Sequence, residues 1–387
     1  KPSRNDSHIK TEVCLTRPKK ARLIQAFSQY VDNYVVADHY RAFTHALLEV
    51  TDQPRWVGQT YVHVRSACGL NRVDMARQIA AWLNEYPLGG NTRIFIDDVS
   101  NMDGSVQRAH CEAHAHLYDH LSSDLASHYR STYRFRGVIR RDRMGHGNLV
   151  EVRYTGEATV KSGAQDTSSG QTCRRIDGIV RVFVHLGATV IVGFVFGDDV
   201  WIIVVQPPRL EDVERAQARY GWATKGLYVD TLEESEFLSC SLAWTRDGVH
   251  MFPHLGRIFA KLFWTWRDIP QRKIKSYRTQ VAEGIIPAYA GFSFVLGFLH
   301  WHCSPAAQTV AQRWVNPRIR LPYTAPESPV DWARFVNVRY GTAMPAHVSW
   351  SMYSKDQVHL VYHPWVQRVM RFDLADPVER GGLLDDE

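Results

Sequence analysis

The stretch Val190-Ile-Val-Gly-Phe-Val-Phe196-Gly197-Asp198-Asp199-Val200-Trp-Ile-Ile-Val-Val205 decides how this chain of 387 residues is built. Two runs of β-branched and aromatic residues flank Gly197-Asp198-Asp199, and Pro207-Pro208 follows the second run. Such runs, joined by a Gly-Asp link and stopped by prolines, read as two strands of a hairpin. Aspartate suits a hairpin turn, because its side chain bonds its own loop and it tolerates left-handed backbone. That accounts for one aspartate comfortably and leaves the second over. A carboxylate against apolar walls is costly unless a cation neutralises it. Hard oxygen ligands with few other donor types suit Mg²⁺. The same two aspartates, in the middle of the longest apolar stretch (188–205), argue against a membrane span there.

Working outward, residues 92–96 form a second β-rich run that ends in Asp97-Asp98, with Asp103 five residues beyond Asp98. Set beside the hairpin, this strand would complete a two-metal site. One ion would activate an attacking hydroxyl and the other would stabilise a leaving phosphate oxygen. Around this centre the periodicity predicts helices over 73–86, 107–129, 167–184 and 210–220. The 167–184 segment carries Cys173, Ile176, Val180 and Phe183 on one face. Residues 131–155 alternate arginines with apolar residues and predict strands or an extended excursion. From 252 onward the chain reads as mainly helical with proline breaks. Irregular alternation of short strands and helices predicts an α+β fold. Neither a Rossmann Gly-rich fingerprint after a strand nor a phosphate-binding P-loop occurs.

Composition sets the outer limits. With 45% hydrophobic and 22% charged residues the chain cannot be mostly disordered. Six cysteines without a C-x-x-C pair exclude a disulfide scaffold and predict reduced, intracellular thiols. No signal peptide is seen, and the chain opens on a basic segment as a fragment or processed product would. The net charge of +6 is modest but unevenly spread. Residues 1–22 and 130–153 are strongly basic, and the tail from 373 is acidic.

In order along the chain, the motifs resemble those of viral RNA-dependent RNA polymerases of positive-strand RNA viruses, most like the tombusvirus and nodavirus-like group. Lys19-Lys20-Ala21-Arg22 resembles the basic fingers motif, and Asp98-x-x-x-x-Asp103-Gly104 the first palm motif. Ser162-Gly163-x-x-x-Thr167 running to Gln171 resembles the loop-and-helix motif. Gly197-Asp198-Asp199 matches the Gly-Asp-Asp motif, Tyr220 to Lys225 the next, and Glu236 to Ser241 the primer grip. The similarity covers roughly residues 16 to 270. It implies a right-hand polymerase fold with an antiparallel palm sheet and a helical thumb. The implied division is fingers 1–91 and 119–160, palm 92–118 and 161–250, and thumb 251–387.

The resemblance also implies roles. Asp98 and Asp198, assisted by Asp199, would ligate Mg²⁺ or Mn²⁺, and Lys225 would protonate the leaving pyrophosphate. Asp103 would sense the ribose 2′-hydroxyl of the incoming NTP. Ser162, Gly163 and Thr167 would lie beside the nascent base pair, and Lys19, Lys20 and Arg22 would contact the triphosphate. Arg272, Lys273, Lys275 and Arg278, at the start of the thumb, would hold the product duplex backbone. Partners would be the RNA template, the product duplex, NTPs and other viral replication proteins. Location would be the host cytoplasm, in a membrane-associated replication complex reached through regions outside this chain. Two positions depart from the family. Ala164 stands where an aspartate is usual, and Gln171 where an asparagine normally works with the second acidic residue of the first palm motif.

Rival readings attach to other residues. His110 and His114, or His116 and His120, share a helix face at the spacing of zinc ligands, but Glu112 does not complete His-Glu-x-x-His. His300, His302 and Cys303 read as a packed aromatic helix end. Arg134, Arg136, Arg140, Arg141 and Arg143 form either a solvated face or a fingers surface along template or entering nucleotide. A reverse transcriptase would share the palm chemistry, but Asp103 argues against it. A non-catalytic RNA-binding protein would need no metal.

Overall fold

The computed structural model describes residues 3–9, 23–27, 36–100, 102–143, 148–160, 166–263, 269–303, 323–345, 363–375 and 380. The strands in chain order are β1 (Ser3–Ile9), β2 (Leu23–Phe27), β3 (Arg55–Val57), β4 (Thr60–Ser66), β5 (Thr92–Asp97), β6 (Arg134–Arg143), β7 (Asn148–Glu157), β8 (Val190–Phe196), β9 (Asp199–Val205), β10 (Leu227–Val229), β11 (Glu236–Phe237), β12 (Cys240–Thr245) and β13 (Gly248–Pro253). The α-helices are α1 (Ala37–Asp52), α2 (Arg72–Glu85), α3 (Met102–Ser105), α4 (Arg108–Asp119), α5 (Ser123–Ser131), α6 (Thr167–His185), α7 (Leu210–Arg219), α8 (Leu255–Lys261), α9 (Ile274–Glu283), α10 (Ser293–His302), α11 (Trp332–Tyr340) and α12 (Pro364–Leu374). They fall into two compact units. One is Lys1–Leu70 with Leu88–Tyr228, and the other is Asn71–Pro87 with Val229–Glu387.

The first unit centres on a sheet of order β10-β5-β9-β8-β4-β3. The two apolar runs do form an antiparallel hairpin, closed by the pair Phe196↔Asp199. β5 pairs antiparallel with β9, Asp97 facing Val200, and β4 pairs parallel with β8. Alternate residues of β9 (Val200, Ile202, Val204) meet Ile176, Ile179, Val180 and Phe183 of α6 and Val213 of α7 in one core. Trp201 and Ile203, on the other face, are also fully buried. Burial on both faces explains why the hairpin reads as continuous apolar runs instead of alternating ones.

A second sheet, β2-β1-β6-β7, contains the arginine-rich excursion as an antiparallel hairpin. Its inner pairs set Gly137 opposite Tyr154 and Gly156 opposite Phe135, and each ring covers the glycine across from it. The helix expected over 107–129 is two helices. α4 stops at Asp119, and Ser122 caps α5 by accepting from the Leu125 N–H at 3.3 Å. A serine that can satisfy a free amide starts a new helix more readily than it continues an old one.

The second unit pairs the small antiparallel sheet β11-β12-β13 with helices α8 to α12 around a large aromatic core, and α2 packs against β13. The β11–β12 turn has Leu238 and Ser239 both at positive φ (53° and 59°), as a two-residue type I′ hairpin demands. Behind it, the fully buried Arg339 donates to the carbonyls of Glu233, Glu234 and Ser235 and to the carboxylates of Glu236 and Asp373. Arg380 also pairs with Glu236. His254 sits in the same network, 2.8 Å from the Ser241 hydroxyl, and burial pushes it down to about 4.

Candidate functional site

The turn between β8 and β9 is the two residues Gly197 and Asp198. Glycine stands first with φ +61°, the position where a type II′ turn needs it. The Gly197 N–H donates at 2.8 Å to the hydroxyl of Thr172, a fully buried residue of α6, and that hydroxyl donates at 2.6 Å to the Ser168 carbonyl. The turn is therefore tied to the helix behind it, which fixes where Asp198 projects. Asp198 and Asp199 are half-buried.

On the neighbouring strand the two adjacent aspartates part company. Strand alternation sends Asp97 inward, where it is 5% exposed, and leaves Asp98 exposed. Asp97 is ion-paired with Arg175 of α6, and both side chains are fully buried. Arg175 also donates to Gln217 Oε1 at 2.5 Å and lies 4.9 Å from the Trp222 ring centroid. Burial pushes the Asp97 carboxyl up and the guanidinium down, and their mutual attraction resists both. A guanidinium keeps its proton in proteins, so the pair is ionic. Asp98 and Asp198 both add their fields at Arg175. One buried positive charge thus answers carboxylates from β5 and from the β8–β9 turn.

Lys225 is held by the same group. Its backbone N–H donates to the Asp98 carbonyl at 3.1 Å and to Asp97 Oδ1 at 3.2 Å. The Ser100 N–H bonds the Ala223 carbonyl at 2.9 Å, and Val99 bridges Thr224, so the segments around Asp98 and Lys225 run as a short antiparallel ladder. Asp103, on the short helix α3, accepts from Gln171 Nε2 at 3.1 Å. Thr167 opens α6, one turn before Gln171. Asp98, Asp103, Thr167, Gln171, Asp198, Asp199 and Lys225 therefore all lie on elements joined by these bonds or by the β5–β9 pairing.

Lys19, Lys20, Arg22, Ser162, Gly163 and Ala164 lie outside the described residues. In the second unit Arg272 and Lys275 are exposed at the start of α9, and Lys273 and Arg278 are half-buried. The histidine run of α4 has structural work. His110 Nδ1 accepts from the Gln107 N–H at 3.1 Å, and His114 is boxed by the rings of Phe43, Tyr118 and Tyr129. His302 packs on Phe263 and Phe298. Among the described residues no three or more His, Cys, Asp or Glu side chains gather as a metal-holding group. Arg175 is the residue that sequence reasoning missed. Its signal was an arginine on the apolar face of a helix, between Thr172 and Ile176, where a charge needs a buried partner.

No family model matches the chain, and no curated protein matches it. Solved structures do. One is the insertion loop deletion mutant of the RNA-dependent RNA polymerase of a human picorbirnavirus, with TM-score 0.57 and 14% identity over 79% of this chain and 58% of that one. Another is the RNA-dependent RNA polymerase of a human picorbirnavirus, with TM-score 0.56 and 12% identity over 95% of this chain and 65% of that one. The chain spans less than two thirds of the length of either. The α+β architecture is thus a viral RNA-dependent polymerase fold.

Proposed function

We propose that the protein is an RNA-dependent RNA polymerase that replicates a viral RNA genome by template-directed nucleotidyl transfer from NTPs. The observation that carries this reading is the placement of Asp98 and Asp198. In a fold shared with viral polymerases, they project from a strand end and the neighbouring turn and act on one buried arginine. The donor set fits a hard divalent cation. Carboxylates from Asp98 and Asp198, with Asp199 adjoining, leave the remaining positions to water and phosphate oxygens, as Mg²⁺ prefers. When bound, Mg²⁺ or Mn²⁺ would supply charge neutralisation at the reacting phosphate. Kinship at the level of the tombusvirus and nodavirus-like group rests on the motif series alone.

The chain's own residues do the rest, because phosphoryl transfer is chiefly positioning and charge stabilisation. Lys225 is the proton donor to the leaving pyrophosphate, and its backbone tether to Asp98 keeps it beside the site. Asp103 with Gln171 reads the ribose, and Ser162, Gly163 and Thr167 line the nascent pair. Lys19, Lys20 and Arg22 hold the triphosphate, while Arg272, Lys273, Lys275 and Arg278 hold the duplex backbone. Fingers are assigned to 1–91 and 119–160, palm to 92–118 and 161–250, and thumb to 251–387. No described helix is long and apolar enough to cross a membrane. Work in a cytoplasmic, membrane-associated complex would therefore draw on partners or segments beyond the described residues.

The test is NTP incorporation on an RNA template. Asp198→Ala is expected to abolish incorporation while leaving RNA binding intact. Incorporation that survives this change refutes the assignment of Asp198. Preference for dNTPs would instead favour the reverse transcriptase reading.

A further inference from the structure

Gln171 is where this chain departs from the asparagine usual in the enzymes it resembles, and the structure shows what the longer arm reaches. Its Nε2 donates to Asp103 Oδ1 at 3.1 Å, and its Oε1 accepts from Arg174 Nη1 at 3.0 Å. The other end of the Arg174 guanidinium donates to the Tyr129 hydroxyl. Tyr129 is itself clamped, edge-on to Tyr118, Tyr133 and His114. The result is a continuous line from Asp103 through Gln171 and Arg174 to an aromatic cluster that joins α4 and α5.

Chemistry at the two ends leaves the amide a single orientation. A carboxylate only accepts and a guanidinium only donates, so nitrogen must face Asp103 and oxygen must face Arg174. Gln171 is 2% exposed, so its amide has little access to water as an alternative partner. Asp103 needs such support, because it sits on a four-residue helix with little rigidity of its own. An asparagine, one methylene shorter, would have to give up one end.

We propose that Arg174 is a specificity-determining positioning residue. By fixing the Gln171 amide, it holds the Asp103 carboxylate in the orientation that distinguishes ribose from deoxyribose in the incoming nucleoside triphosphate. This inference rests on the polymerase reading and deepens it. A site built to bond a hydroxyl rejects the analogue that lacks it only while its polar groups are held in place. Arg174 and Tyr129 supply the holding, and the helix between the first and second palm motifs becomes part of nucleotide selection.

The experiment compares kcat/KM for ATP and dATP on a uridine template in the full chain and in Arg174→Met, Arg174→Lys, Tyr129→Phe, Gln171→Asn and Gln171→Asn/Arg174→Met. Arg174→Met is expected to lower the ATP/dATP ratio about tenfold, the scale of a lost charge-assisted bond. Tyr129→Phe should shift it in the same direction by less. Arg174→Met should add little to Gln171→Asn, because the two residues act in series. A purely structural role would slow ATP and dATP in parallel and leave the ratio unchanged, and that result overturns the proposal. Should Arg174→Met not fold, Arg174→Lys and Tyr129→Phe read the same ratio. No incorporation by the unmodified chain would instead refute the polymerase reading beneath it.

Discussion

Replacing Arg175 by methionine isolates the buried charge beneath the candidate site. Arg175 and Asp97 are both fully buried, and the arginine also holds Gln217 and stacks on Trp222. Removing it leaves Asp97 bonded to the uncharged Lys225 N–H and Gln217 side chain. Breaking one side of a buried pair costs about 3–5 kcal/mol, because a charge is stranded. For a unit of this size that lowers the melting temperature by roughly 6–20 °C. The sign with pH follows from burial. An unpaired Asp97 has its folded pKa raised, so the variant keeps most stability at low pH and loses it as pH rises through that value. The double variant Arg175→Met/Asp97→Leu strands no charge and should recover most of the loss. The assay is urea unfolding of the single and double variants at several pH values, read by tryptophan fluorescence since Trp222 adjoins the guanidinium. If Arg175→Met melts like the unmodified protein, or the double variant is no better than the single, the pair is not the hub described.

Two further outcomes follow from neighbouring contacts. Thr172→Val removes the acceptor of the Gly197 N–H and should cost about 1–3 kcal/mol. It should also lower kcat for NTP incorporation more than it raises KM, and equal kinetics would sink the anchoring role of Thr172. In the second unit, His254 is pushed down to about 4 by burial among Glu236, Asp373, Arg339 and Arg380. A histidine with a depressed folded pKa contributes stability in full above its ordinary 6.5 and loses it as pH falls towards 4, here roughly 3 kcal/mol. His254→Asn should flatten stability between pH 6.5 and 4, and an unchanged slope would show that another group titrates there.

The central hairpin, the β5 strand and helix α6 were legible because each carries its own local pattern: apolar runs, a glycine at a turn, apolar residues three and four apart. The spacing of Asp98, Asp103, Asp198 and Lys225 was legible too. What stayed hidden depends on partners far apart in sequence. Nothing near Asp97 says that Arg175 will meet it, and only strand alternation hints that Asp97 and Asp98 face opposite ways. The break between α4 and α5 was masked by a helical rhythm that continues across Ser122, whose capping role shows only when the Leu125 N–H lacks another acceptor. The Arg174 link was hidden for a different reason. Gln171 and Arg174 are one turn apart, but the tyrosine that completes the line lies on another helix.

The division into two units has a consequence in time. The chain leaves the first unit at Asn71, contributes α2 to the second, returns at Leu88, and leaves again at Val229. α2 packs against β13, yet 163 positions separate Glu85 from Gly248. At about 5–20 residues per second, roughly 8–30 s of synthesis pass before that strand exists. During this interval the apolar face of α2 (Met75, Ile79, Trp82, Leu83) lacks the strand it packs against. The newborn chain carries this apolar face uncovered by β13 while 163 of its 387 residues are added, which makes this helix a natural place for a chaperone to bind and for misassembly to begin.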